Sequence, residues 1–143
     1  MVEVPAQPWH RSSLNLSARI DLMRLEVLRR GWSIVRRPSW TRFLLPNLSI
    51  TLHPIRVMLL RRSADLVDAS VGDAVLLAHE TAHVIQGNGA RFSWVLRYFL
   101  SPSFRRAVEE EAFAHGKALA LAAGSDWNYR DPAVLGKVYL LRR

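Results

Sequence analysis

Ser70 to Gly87 reads as a helix whose two ends are written into its own residues, and it limits what the rest of the chain can be. Ser70 suits an N-cap, and Asp73, three residues on, completes a capping box. Gly87 stands where a helix takes a left-handed residue after its last turn. Between them Val71, Val75, Ala78, Ala82 and Ile85 recur on one face. Such a stripe needs neighbours to cover it.

The neighbours are legible as further helices and two strands. Residues 12 to 30 carry Leu14, Ile20, Leu22, Leu25, Val27 and Leu28 at helical spacing, with Gly31 as a stop and Arg19, Arg24, Arg29 and Arg30 as a solvated face. Residues 47 to 62 hold two extended runs, LSITLH and IRVMLL, divided by Pro54, and predict a hairpin or two neighbouring strands with His53 as a loop or surface residue. After a turn at 87–89, RFSWVLRYFL predicts a short helix, too short to span a membrane, that packs beneath a loop or, as the alternative, lies in an interface. Ser101 or Ser103 caps another helix reaching about Ala123, with Gly124 ending it. Its small residues Ala112, Gly116, Ala120 and Ala123 permit close approach of a neighbour. A short terminal helix is expected from about Pro132. The pattern is an α+β domain, mostly helical, with a short antiparallel or mixed sheet ahead of the central helix.

At 143 residues, half of them apolar, the chain suits one domain with a real core. It divides into a leading segment 1–45 of unknown role, a core 46–124 and a tail 125–143. It has no cysteine, which excludes disulfides, thiolate metal sites and cysteine nucleophiles together. The formal charge is +8, almost wholly from arginine, spread as doublets rather than gathered into a nucleic-acid tail, so no nucleic-acid partner is expected. The N-terminus lacks the basic start and apolar run of a secretory signal, which leaves the cytoplasm as the default location. The apolar stretch FLLPNLSITLHPIRVMLL is interrupted by two prolines and an arginine, so no transmembrane segment is read.

The central helix carries chemistry as well. In LLAHETAHVIQ, His79 and His83 are four apart and therefore stacked on one face, where two imidazoles can converge on one ion. Glu80 is rotated about 100° from His79. It therefore falls outside the ligand set but within reach of a water held by the metal. Five histidines and six glutamates produce this order by accident about once in a hundred such chains. A third protein ligand is needed. The next histidine, His115, is far along the chain and reads as a core or supporting residue, whereas Glu109, Glu110 and Glu111 stand together on the later helix. Glu110 shares its face with Ala114 and Lys117 and points to water. Glu109 heads the small-residue face and is preferred as the ligand, with Glu111 second.

HETAH followed by VEEEAFA resembles the gluzincins, zinc peptidases with two helical histidines and a glutamate from a later helix. The chain is most similar to small bacterial proteins with HExxHxxQ, an aromatic-rich link and ExEA, matched here by His79, Glu80, His83, Gln86, the segment RFSWVLRYFL, Glu109, Glu111 and Ala112. The resemblance covers roughly residues 50 to 120 and also favours Glu109 as the ligand. It implies a small zincin-like domain with bound Zn²⁺ and a peptide or protein substrate held on an edge strand, for which IRVMLL is the candidate. The related enzymes often have an aspartate where this chain has Phe113, so support for a histidine must come from elsewhere, with Asp126 or Asp131 as substitutes.

The expected activity is zinc-dependent peptide-bond hydrolysis, with His79, His83 and Glu109 as ligands and Glu80 as general base. Tyr98, Tyr129 and Tyr139 are candidates to stabilise the oxyanion. Two alternatives stand beside it: a non-catalytic zinc-binding module for peptides or proteins, and a basic binder of nucleic acid or acidic membrane in which the histidines are incidental. A further expectation is that residues 1 to 45 cover the core and inhibit it.

Overall fold

A computed structural model describes residues 3–36, 38, 40, 50–60, 70–87 and 90–125. In order, a 3-10 turn at Pro8–His10 is followed by helix α1 (Leu16–Arg29), strands β1 (Ser33–Arg36) and β2 (Ile50–Leu52), a second 3-10 turn at His53–Ile55, strand β3 (Val57–Leu60), and helices α2 (Val71–Gln86), α3 (Arg91–Leu100) and α4 (Pro102–Ala122). The domain is α+β, mostly helical, with a three-stranded mixed sheet before α2.

Helix α2 has the bounds that its caps dictate. The Ser70 hydroxyl accepts from the Asp73 amide, and the Asp73 carboxylate accepts from the Ser70 amide at 2.9 Å. The C-terminal expectation fails in an informative way: Gly87 has φ −84°, not a left-handed value. A Cβ there would lie 2.0 Å from His53 Cε1, so glycine is required for space rather than for backbone conformation. His53 is accordingly buried, 1% exposed, and not at the surface.

Strand β3 runs between the other two, parallel to β1 (Ile34 opposite Met58) and antiparallel to β2 (Thr51 opposite Met58). IRVMLL is thus the central strand, both of its edges already hydrogen-bonded, and cannot accept a substrate strand. The edge facing α2 belongs to β2, through Thr51. β1 has no counterpart in the sequence reading, because four residues with mostly exposed side chains leave little alternation to detect.

Helix α1 begins later than expected. The Asn15 side chain accepts from the Ala18 amide at 2.8 Å and caps it. Its buried face is Arg19, Ile20, Met23 and Val27, while Leu25 and Leu28 lie in solvent. Arg19 is fully buried rather than solvated. Its guanidinium donates to the Trp9 carbonyl at 2.6 Å and to the Ala122 carbonyl at 2.9 Å, one of the last acceptors of α4. A buried cation is tolerable when carbonyls at the negative end of a helix surround it. Trp9, Ile20, Met23, Val27 and Trp32 join Met58, Leu60, Val75, Leu77, Ala78, Val84 and Leu119 in one core. The leading segment therefore supplies part of the fold itself and is not a removable cover.

Helix α2 is enclosed by α1, α4 and β2, and eleven of its residues are buried, from Gly72 to Val84. The closest partner is α4, whose Ala112, Gly116, Leu119 and Ala120 are buried, in keeping with the small side chains there. Helix α3 packs against α4 and the His53–Ile55 turn through Trp94, but its outer face is exposed, contrary to the expectation that it lies beneath a loop. The terminal helix expected near Pro132 and the residues Asp126, Tyr129, Asp131 and Tyr139 lie outside the described residues.

Candidate metal centre

Two turns of α2 and one residue of α4 meet in the interior. His79 and His83 are 3% and 6% exposed, and their Nε2 atoms face each other at 3.1 Å. Glu109 enters from α4, 2% exposed, with Oε2 at 3.3 Å from His79 Nε2 and Oε1 at 3.5 Å from His83 Nε2. The three ligating atoms lie within 4.8 Å of one another, the one group of this kind among the described residues. A tetrahedral ion bound at about 2.0–2.1 Å spaces its ligands about 3.3–3.4 Å apart. The Nε2–Nε2 separation is close to that spacing, and each imidazole has a Glu109 oxygen near it, His79 facing Oε2 and His83 facing Oε1.

The donor chemistry also asks for a cation. Gln86 donates from Nε2 to the Val108 carbonyl at 2.9 Å, which turns its Oε1 toward His83 Nδ1, also at 2.9 Å. With Nδ1–H donating to that oxygen, Nε2 carries the lone pair, and it points at a second imidazole and a carboxylate. The His83 Nε2 lone pair and the Glu109 carboxylate repel one another unless positive charge lies between them. Glu109 Oε2 accepts no hydrogen bond among the described residues although it is buried. In the metal-free protein a proton fills the role. Burial lowers the His83 pKa, but the Glu109 charge and hydrogen bond, with Glu80 and Gln86, outweigh it and raise the imidazole to about 9. Burial pushes Glu109 the other way, and the His83 and His79 imidazoles hold it well below the usual carboxylate range. The cluster could hold a metal ion, or a proton in its place.

Around these groups the walls are specific. Tyr98 of α3 donates its hydroxyl to Glu109 Oε1 at 2.5 Å, and its ring stacks on Trp94 at 5.2 Å. Tyr98, a candidate for oxyanion stabilisation, is thus engaged with the ligand carboxylate. Phe113 packs its ring against His79, centroids 4.5 Å apart. Glu80 is 4% exposed and lies outside the donor group, as its rotation about the helix requires. The Thr51 hydroxyl of β2 donates to Glu80 Oε2. Of the other acids, Glu110 pairs with Arg106 at 2.8 Å near the surface, and Glu111 lies close enough to His115 to raise its pKa, though burial there prevails and lowers it. His115 is buried 5.5 Å from the His10 ring and takes no part in the cluster.

The sequence assigns no positioning role to Thr51, Trp94 or His53, and matches Gln86 only as part of the motif. Gln86 stands three residues after His83, hence on the same face, and that spacing would have assigned its role. Thr51 is brought in by strand pairing, and Trp94 and His53 by α3 and the β2–β3 turn; no local signal identifies them. His53 is wedged between Trp32 and Trp94, with ring centroids 5.0 and 4.0 Å away, and burial, with the charge of His83, holds it down at about 4. Trp94 in turn lies 6.0 Å from the His83 ring.

No family model, curated protein or solved structure matches this chain.

Proposed function

We propose that the chain is a zinc-dependent peptidase of gluzincin type. The observation that carries this reading is the buried His79–His83–Glu109 cluster, with one ligand atom from each within 4.8 Å of the others and Glu80 held beside it but outside it. A structural site needs no carboxylate at that position, and a buried glutamate is costly to keep even with the Thr51 hydroxyl donating to it. This favours catalysis over a zinc-binding interaction module.

Zn²⁺ held by these donors supplies Lewis acidity toward the scissile carbonyl and lowers the pKa of water to about 7. The chain's own groups do the rest. Glu80 takes the water proton and passes it to the leaving amine. Thr51 fixes the Glu80 carboxylate through its hydroxyl, and Gln86 fixes the His83 tautomer. Tyr98 locks the Glu109 carboxylate in place. The substrate is an extended peptide or protein segment that adds to the outer edge of β2, beside Glu80, by backbone hydrogen bonding.

The test is a metal analysis and a peptide-hydrolysis assay on the wild type, Glu80→Gln, Glu109→Ala and Glu111→Ala. Glu80→Gln should keep the metal and lose hydrolysis by roughly 10²–10⁴-fold. Glu109→Ala should lose the metal, and Glu111→Ala should keep both metal and activity. A fully active Glu80→Gln protein, or a wild type unable to hold zinc, would overturn the proposal.

A further inference from the structure

Helix α3 turns one face to the metal centre and the other to solvent, and the outer face is the more apolar. Phe92, Leu96, Phe99 and Leu100 are 75%, 60%, 71% and 72% exposed, and their spacing of four, three and one places them in a single stripe. Ile55, also exposed at 66%, stands on the 3-10 turn that packs against α3. Only Trp94 of the described α3 side chains is buried, so the helix stands out as a ridge. The charges nearest in sequence are mostly basic, and Arg106 is paired with Glu110. From Val84 to Val108 the chain has four arginines, Arg91, Arg97, Arg105 and Arg106, and no acidic residue, within a chain of formal charge +8.

We propose that this ridge docks on an anionic lipid surface, with the aromatic and leucine side chains entering the headgroup boundary and the arginines meeting lipid phosphates. An apolar stripe flanked by basic residues is the composition that binds membrane interfaces, and the two attractions add. The shape decides against other occupants. A protein partner needs a groove to receive a ridge, whereas a lipid surface yields to it. A second copy would bring like-charged arginines together. Its footprint, a ten-residue helix about 15 Å long and about 10 Å wide, is also far below the roughly 800 Å² per partner of a stable dimer. No described helix is long and apolar enough to cross a membrane, so the contact is peripheral. The inner face of α3 carries Tyr98, bonded to Glu109, so docking sets the cluster about one helix diameter (~10 Å) below the lipid. The proposal stands independently of peptidase activity.

The experiment is co-sedimentation of the full chain with vesicles of phosphatidylcholine alone or with 30% phosphatidylglycerol, at low and at physiological salt. The wild type should partition onto the anionic vesicles, more weakly as salt rises, and not onto the neutral ones. Phe92→Ser/Phe99→Ser should reduce partitioning at least about tenfold. Leu96→Asp should reduce it as well. Leu25→Ser/Leu28→Ser, which removes equally exposed side chains from α1, should leave it unchanged. Circular dichroism and the urea midpoint report whether each variant is folded. Absence of wild-type binding at low salt, ridge variants that bind like the wild type, or an equal loss in the α1 variant would overturn the proposal. Capture by soluble polyglutamate without vesicle binding would assign the ridge to an acidic protein instead and would also overturn it.

Discussion

Gly87→Ala sets a local rule against a tertiary one. By local reasoning the substitution is favourable: φ is −84°, which alanine adopts freely, and replacing a glycine at a helix end stabilises by about 0.4–1 kcal/mol through the unfolded chain. The packing says the opposite. The new methyl would sit 2.0 Å from His53 Cε1 and 2.1 Å from Nδ1, against the ~3.5 Å of an ordinary contact. The imidazole would have to move about 1.5 Å. It has little room to do so between Trp32 and Trp94. Overpacking of this kind costs roughly 1–3 kcal/mol or more. The net expectation is destabilisation by about 1–2 kcal/mol, seen as a urea midpoint lowered by roughly 0.5–1 M. The assay is equilibrium unfolding of the wild type, Gly87→Ala, His53→Ala and the double variant, all metal-free. His53→Ala destabilises alone by leaving a cavity, but in its presence Gly87→Ala should become neutral or stabilising. The cycle should therefore give a coupling of at least about 1 kcal/mol. Additive effects, or a Gly87→Ala protein more stable than the wild type, would refute the steric argument.

Four further outcomes follow from the site. Gln86→Leu removes the acceptor for His83 Nδ1 and the tie to Val108, and should weaken zinc binding by about 10–100-fold in a chelator competition. Zinc must displace the proton that Glu109 holds on His83, whose folded pKa is about 9; apparent affinity should therefore fall about tenfold for each pH unit below 9, and a titration flat between pH 6.5 and 8.5 would contradict that exchange. In the metal-free protein the same raised value gives stability that is full below the unfolded pKa of about 6.5 and lost as pH rises through 9, visible as a falling urea midpoint. Thr51→Val should lower kcat by about 10–100-fold at unchanged zinc content, with rescue by Thr51→Ser, because the hydroxyl positions Glu80.

The residues alone determined what local chemistry controls. The capping box at Ser70 and Asp73 and the span of α3 are settled within a turn or two of backbone, so their bounds are readable, whereas the choice of Ser101 over Ser103 as the cap of α4 is made only in the fold. The four-residue spacing of His79 and His83, with Glu80 turned away, is equally a property of helical geometry. Tertiary structure decided everything that depends on which surfaces meet. It made Glu109 rather than Glu111 the acid beside the histidines, because the small-residue face of α4 packs on α2. It placed IRVMLL at the centre of the sheet, since a strand's neighbours are chosen by distant β1 and β2. It buried Arg19 and His53, which look like surface residues until the carbonyls of α4 and the rings of Trp32 and Trp94 are brought around them. Periodicity can tell which side of a helix is apolar; only packing supplies the partners that let a polar side chain go inside.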